Sequence, residues 1–130
     1  MGHFVETPIA IGELIDKITI LEIKAERFTD AAKIKNVQTE LGLLRNRCEQ
    51  VIPASATLDS LAVQLKAVNE QLWELEDAIR DCERQTDFGP DFIALARSIY
   101  RTNDERAAVK RQINITFGSD LIEEKSYTPY

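Results

Sequence analysis

With 130 residues, 44% of them hydrophobic and 29% charged, the chain has the size and composition of one soluble domain with a core of its own. Its formal net charge of −6 argues against wholesale binding of nucleic acid or an anionic membrane, since both need a dominant positive field. No window approaches the roughly 18 uncharged residues of a membrane span, and the N-terminus lacks a basic stretch followed by an apolar core. The expectation is a cytoplasmic protein with no membrane insertion.

In chain order, the first helix is expected over about residues 9–28. Thr7-Pro8 resembles an N-cap followed by proline at the first helical position, with a later start near Gly12 as the alternative. Leu14, Ile18, Leu21, Ala25 and Phe28 form its stripe, and Ile11, Ile15, Ile20 and Ile23 widen it. So broad an apolar surface places this helix centrally. Thr29 and Asp30 are N-cap types, and a second helix runs over about 30–52 with Ile34, Val37, Leu41, Leu44, Cys48 and Val51 on one face.

Pro53 to Thr57 is a linker of small residues. The third helix, about 58–84, carries the longest seam: Leu58, Leu61, Leu65, Val68, Leu72, Leu75, Ile79 and Cys82 follow at steps of three and four. Gly89-Pro90 suits a fresh helix start, and the fourth helix, about 90–117, ends at Gly118, a natural C′ glycine. Asp120 is placed to cap a short last turn. Phe4-Val5-Glu6 could pair with the tail near Ser126-Tyr127.

Short connections make successive helices antiparallel neighbours, so the expected fold is an all-α, antiparallel four-helix bundle in a single helical domain, with a long central hairpin at about residues 30–84. In such a hairpin Cys48 and Cys82 lie on the order of 30 Å apart, too far for a disulfide, and read as buried thiols.

Chemistry-bearing residues are few. His3 is the only histidine, which removes Ser-His, Cys-His and histidine-metal constellations. The glycines lie too far apart to cradle a phosphate. No catalytic residue, metal site or cofactor is expected. The fourth helix holds the exception, because its apolar seam is interrupted by polar residues. Asn103, Arg106, Lys110 and Asn114 share one face, with Tyr100 just before it. Candidate partners are Asn69, Trp73, Glu76 and Arg80 on the third helix, and Asp16, Thr19 and Glu22 on the first. From these come the candidate binding residues Asp16, Glu22, Trp73, Glu76, Arg80, Tyr100, Asn103, Arg106 and Lys110. Arg106 is expected to be partly buried against a carboxylate, with Glu76, Asp16 and Glu22 as candidates in that order.

Two enzyme patterns are approached and missed. Glu13 with Asp16, Glu22 with Glu26, and Glu74 with Asp77 are acidic pairs at helical spacing, of the kind that binds magnesium in all-α nucleotide pyrophosphohydrolases, but their separation differs from that family's. Ile15-Asp16-Lys17-Ile18 and Ala25-Glu26-Arg27 are close to the first helix of the all-helical chorismate mutases, yet Ala10 stands near the place of that family's upstream arginine.

A third likeness covers nearly the whole chain. Gly12-Glu13-Leu14-Ile15-Asp16-Lys17-Ile18-Thr19-Ile20-Leu21-Glu22-Ile23-Lys24, Leu72-Trp73-Glu74-Leu75-Glu76-Asp77-Ala78-Ile79-Arg80, Asp87-Phe88-Gly89, Tyr100-Arg101-Thr102-Asn103-Asp104, Lys110-Arg111-Gln112-Ile113-Asn114 and Glu124-Lys125-Ser126-Tyr127 together resemble a family of small uncharacterised bacterial proteins, a domain of unknown function. The resemblance implies no activity. It implies an association with proteins of surface-polysaccharide assembly, and so an accessory role.

The functional expectation is a non-enzymatic protein-interaction module that self-associates as a homodimer and binds another protein. The alternative is a small-anion-binding protein or a metal-dependent nucleotide-processing enzyme using the polar band between helices one, three and four.

Overall fold

The computed structural model describes residues 2–130 and contains four helices: α1 (Ile11–Arg27), α2 (Ala31–Val51), α3 (Ala56–Arg84) and α4 (Pro90–Thr116). No strand occurs among the described residues, and Phe4-Val5-Glu6 does not pair with the tail. The fold is all-α. None of its helices is long and apolar enough to cross a membrane.

Local chemistry explains most helix ends. The Asp30 carboxylate accepts the Lys33 N–H at 3.0 Å and starts α2. The Ser55 hydroxyl accepts the Leu58 N–H at 3.0 Å, so α3 begins two residues before the expected Leu58. Gly89 and Pro90 open α4 as the sequence suggests. Gly118, at φ +65°, closes it in a Schellman turn in which the Ser119 N–H donates to the Asn114 carbonyl at 2.8 Å.

The start of α1 departs from expectation. Thr7-Pro8 lies outside it, and the N-cap is Ala10, which has no side chain to offer. Asp120 caps nothing, because residues 119–130 form no helix.

Packing is centred on α1. It contacts each of the other three helices, while α3 and α4 also pack on each other. The chain reverses at residues 52–55, but no Cα of α2 comes within 8 Å of one in α3. The breadth of apolar surface that makes α1 central is also what seats it between them. Leu14, Ile18, Val37, Leu41, Leu61 and Leu65 belong to the shared core. Cys48 and Cys82 are free and half-buried, and burial pushes both thiols up.

The core occupies only one end. At about 1.5 Å per residue, the 17 residues of α1 span about 25 Å and the 29 of α3 about 43 Å. Beyond α1 the α3–α4 pair continues alone as a two-helix arm. No residue from Glu70 to Arg101 is fully buried.

Candidate functional site at the seam of α1 and α4

Where α1 crosses α4, the polar residues that interrupt the α4 seam are buried rather than solvated. Thr102, Lys110 and Asn114 are 8%, 7% and 2% exposed, and opposite them Asp16 and Thr19 are each 1% exposed. An unpaired carboxylate so deep would cost several kcal/mol, on the order of 3–5. Asp16 is therefore surrounded by donors.

Its Oδ1 accepts from Asn69 Nδ2 at 2.8 Å and from Arg106 Nε at 3.1 Å, and its Oδ2 accepts from the second arm of the Arg106 guanidinium. This side-on, two-point clamp is the strongest geometry a guanidinium offers a carboxylate. Lys110 Nζ stands 3.8 Å from Oδ2, bonds Glu13 at 2.7 Å and reaches Glu123 at 3.4 Å. Thr19 Oγ1 donates to the Asp16 carbonyl at 2.8 Å and accepts from Asn69 Nδ2 at 3.0 Å. The Asp16 hydrogen bond holds the Arg106 guanidinium above its ordinary pKa, against the opposing pull of burial.

One turn further on, α4 and the turn that follows it supply the caps that Ala10 lacks. Asn114 Oδ1 accepts the Gly12 N–H at 2.6 Å, and the Ser119 hydroxyl accepts the Ile11 N–H at 3.1 Å. The helices touch here. A Cβ on Gly12 would press into the Lys110 carbonyl oxygen and stand 3.0 Å from Asn114 Oδ1, so only glycine fits. Among the described residues no buried side-chain N or O atom lacks a hydrogen-bond partner.

The layer thus gathers Asp16, Arg106 and Lys110 from the expected band, but not all of it. Arg106 pairs with Asp16 rather than with Glu76, although Glu76 lines the same cleft, because the first turns of α1 bring Asp16 directly against the guanidinium. Glu76 instead meets Arg80 on its own helix at 3.5 Å, and Arg80 is 79% exposed. Glu22 turns to α2, where Arg45 donates to it at 2.6 Å. Six residues beyond Asp16, it has rotated off the α4 face by about 120°. Tyr100 faces away from the layer and stacks edge-on against Tyr130, ring centroids 5.0 Å apart. The sequence pattern does not show Asn114 and Ser119 as a joint cap for the Gly12 and Ile11 amides. Its one signal is that an apolar residue at an N-cap needs acceptors from elsewhere.

Above the layer, α1 parts from α4. Its first turns bond Lys110, Asn114 and Arg106, whereas its last turn lies on α3, where Phe28 packs against Trp73 and Arg27 bonds Glu74. Between them opens a cleft of about 370 Å³ whose walls include Ile23, Trp73, Glu76, Asp77, Asn103 and Arg106. No group of three or more His, Cys, Asp or Glu side chains suited to a metal occurs among the described residues.

The family model of a family of unknown function (DUF6165) matches residues 5–130, nearly the whole chain, and the chain belongs to that family. No curated protein and no solved structure matches it.

Proposed function

We propose that this member of a family of unknown function is a non-enzymatic interaction module that holds a partner protein at the cleft and along the α3–α4 arm. The observation that carries the reading is a division of labour. The charged residues of the α1–α4 seam are spent on one another, while the α3–α4 pair runs on with no third helix to cover it. Groups committed to a closed network set helix register, and an uncovered helical pair is surface for association.

The alternative readings draw less support. Anion binding would need Arg106 or Lys110, and both already hold carboxylates. Metal-dependent nucleotide chemistry would need one of the three acidic pairs, and cations already hold them: Lys110 and Arg106 at Glu13 and Asp16, Arg45 and Lys66 at Glu22 and Glu26, and Arg27 at Glu74. The partner class suggested by the sequence resemblance is surface-polysaccharide assembly, and self-association is part of the same proposal.

Site-specific photo-crosslinking in the native cell tests the reading. A crosslinker at Asp77, beside the cleft, is expected to give a discrete protein adduct, and one at Asn36, on the outer face of α2, none. An adduct of twice the chain mass identifies a second copy as the partner. The same ladder from both positions, or no adduct from Asp77, refutes the proposal.

A further inference from the structure

Resting on that reading, we propose that the cleft and the arm groove beyond it receive an amphipathic helix whose flanks are basic. The type of occupant follows from α1, which already lies against the α3–α4 pair as a helix and stops where Arg27 reaches Glu74. Past that point the same two helices continue, and their facing residues keep helical spacing. Leu72, Leu75 and Ile79 on α3 and Phe92, Ala96 and Ile99 on α4 are all half-buried where the two helices pack on each other. From Trp73 to Arg84 the uncovered track measures about 18 Å, room for about three helical turns. A fully extended strand would leave its own amides unpaired on a helical surface, whereas a helix satisfies them internally.

The basic flank follows from charge. Glu76 and Asp77 stand at the cleft wall, and Glu83 continues the Glu76 stripe two turns on. Arg106 does not offset them, because Asp16 holds it in a two-point clamp. Arg80 is a weak offset, 79% exposed and 3.5 Å from Glu76, and Arg27, which lies over the Trp73 ring, is paired with Glu74. Lysine or arginine at the edge of an incoming helix meets these carboxylates, and its apolar stripe meets the seam.

The only tryptophan of the chain, Trp73, lies in the cleft wall and reports its occupancy directly. The probes are three synthetic 18-residue peptides titrated into the full chain. One is a leucine-striped helix flanked by lysines, the second carries glutamates in their place, and the third keeps the lysines but is broken by two prolines. The lysine helix is expected to shift Trp73 emission and to bind at least tenfold more tightly than either control. Glu76→Lys with Asp77→Lys, both at the surface, is expected to weaken it at least tenfold while circular dichroism and the denaturation midpoint stay unchanged. Equal binding of the proline-broken peptide overturns the helix, and equal binding of the glutamate peptide or of the variant overturns the charge. If no peptide moves Trp73 emission the inference fails, and the Asp77 crosslink then decides separately whether the interaction reading stands.

Discussion

The two ends of this molecule are built from the same kind of residue and held together differently. In the packed end, Leu61, Leu65 and Ile113 are 3%, 0% and 0% exposed, because α1 covers the α3–α4 pair. In the arm, Leu72, Leu75, Ile79 and Ile99 repeat the same spacing and none is fully buried. A seam buries its side chains only when a third element closes over it. Two helices alone shield one side of each contact and leave the other to solvent, so the arm contributes less stability per leucine and keeps more surface for association.

The sharpest way to break that contrast is a pair of equivalent truncations. Leu65→Ala in the packed end should cost about 3–5 kcal/mol, from lost transfer energy and the cavity left behind. Leu75→Ala in the arm should cost only about 1–2 kcal/mol, because water already reaches the site. Urea midpoints measure both, and equal losses would mean that the arm is as well packed as the core. Next in size is Arg106→Ala, which leaves Asp16 buried with only Asn69 and a more distant Lys110. The expected loss is about 3 kcal/mol, and a shift below about 1 kcal/mol would make the pair a surface feature.

A smaller effect of opposite sign is expected at the arm's tip. Thr86, the C′ residue of α3, adopts φ 53° so that its N–H can donate to the Glu83 carbonyl at 3.0 Å and the Asp87 N–H to the Cys82 carbonyl at 2.8 Å. A β-branched residue is strained there, and Thr86→Gly should stabilise the chain by about 1 kcal/mol in a thermal melt. The smallest change concerns the tail at the arm's base. The Tyr130 hydroxyl donates to Asp104, and that hydrogen bond raises its pKa. A raised value means that the contact contributes fully below the ordinary tyrosine value of about 10 and is lost as pH climbs through the folded value. Tyrosine ring resonances should show Tyr130 leaving Tyr100 in that alkaline window, and Asp104→Asn should move the transition to lower pH.

The helices were legible because apolar residues recur at three and four over long stretches, and the central place of α1 was legible from its excess of isoleucine and leucine. The interruption of the α4 seam correctly announced Arg106 as partly buried. Its partner was misread because closeness along the chain is a poor guide to closeness in a bundle. Glu76 is 30 positions from Arg106 and Asp16 is 90, yet α1 faces α4 across the layer. Glu22 stands off the layer because each three-residue step from Asp16 walks off a helical face by about 60°. The cleft was legible in part, since Trp73, Glu76, Asn103 and Arg106 of the expected polar band all line it. What no one-dimensional pattern displays is the opening itself, where the end of α1 leaves α4 and lies on α3.

The shared cap at Gly12 reaches back to the order in which the chain is made. The first turn of α1 finds its acceptors 102 and 108 positions later, in Asn114 and Ser119. Until those residues leave the ribosome, its amides have only water to bond and Asp16 has no Arg106. At a synthesis rate of about 5–20 residues per second, the N-terminal helix waits at least several seconds for the segment that completes it. Closure of the packed end is then dominated by long-range contacts that wait for Arg106, Asn114 and Ser119, whereas the contacts within the α3–α4 arm join residues closer in sequence.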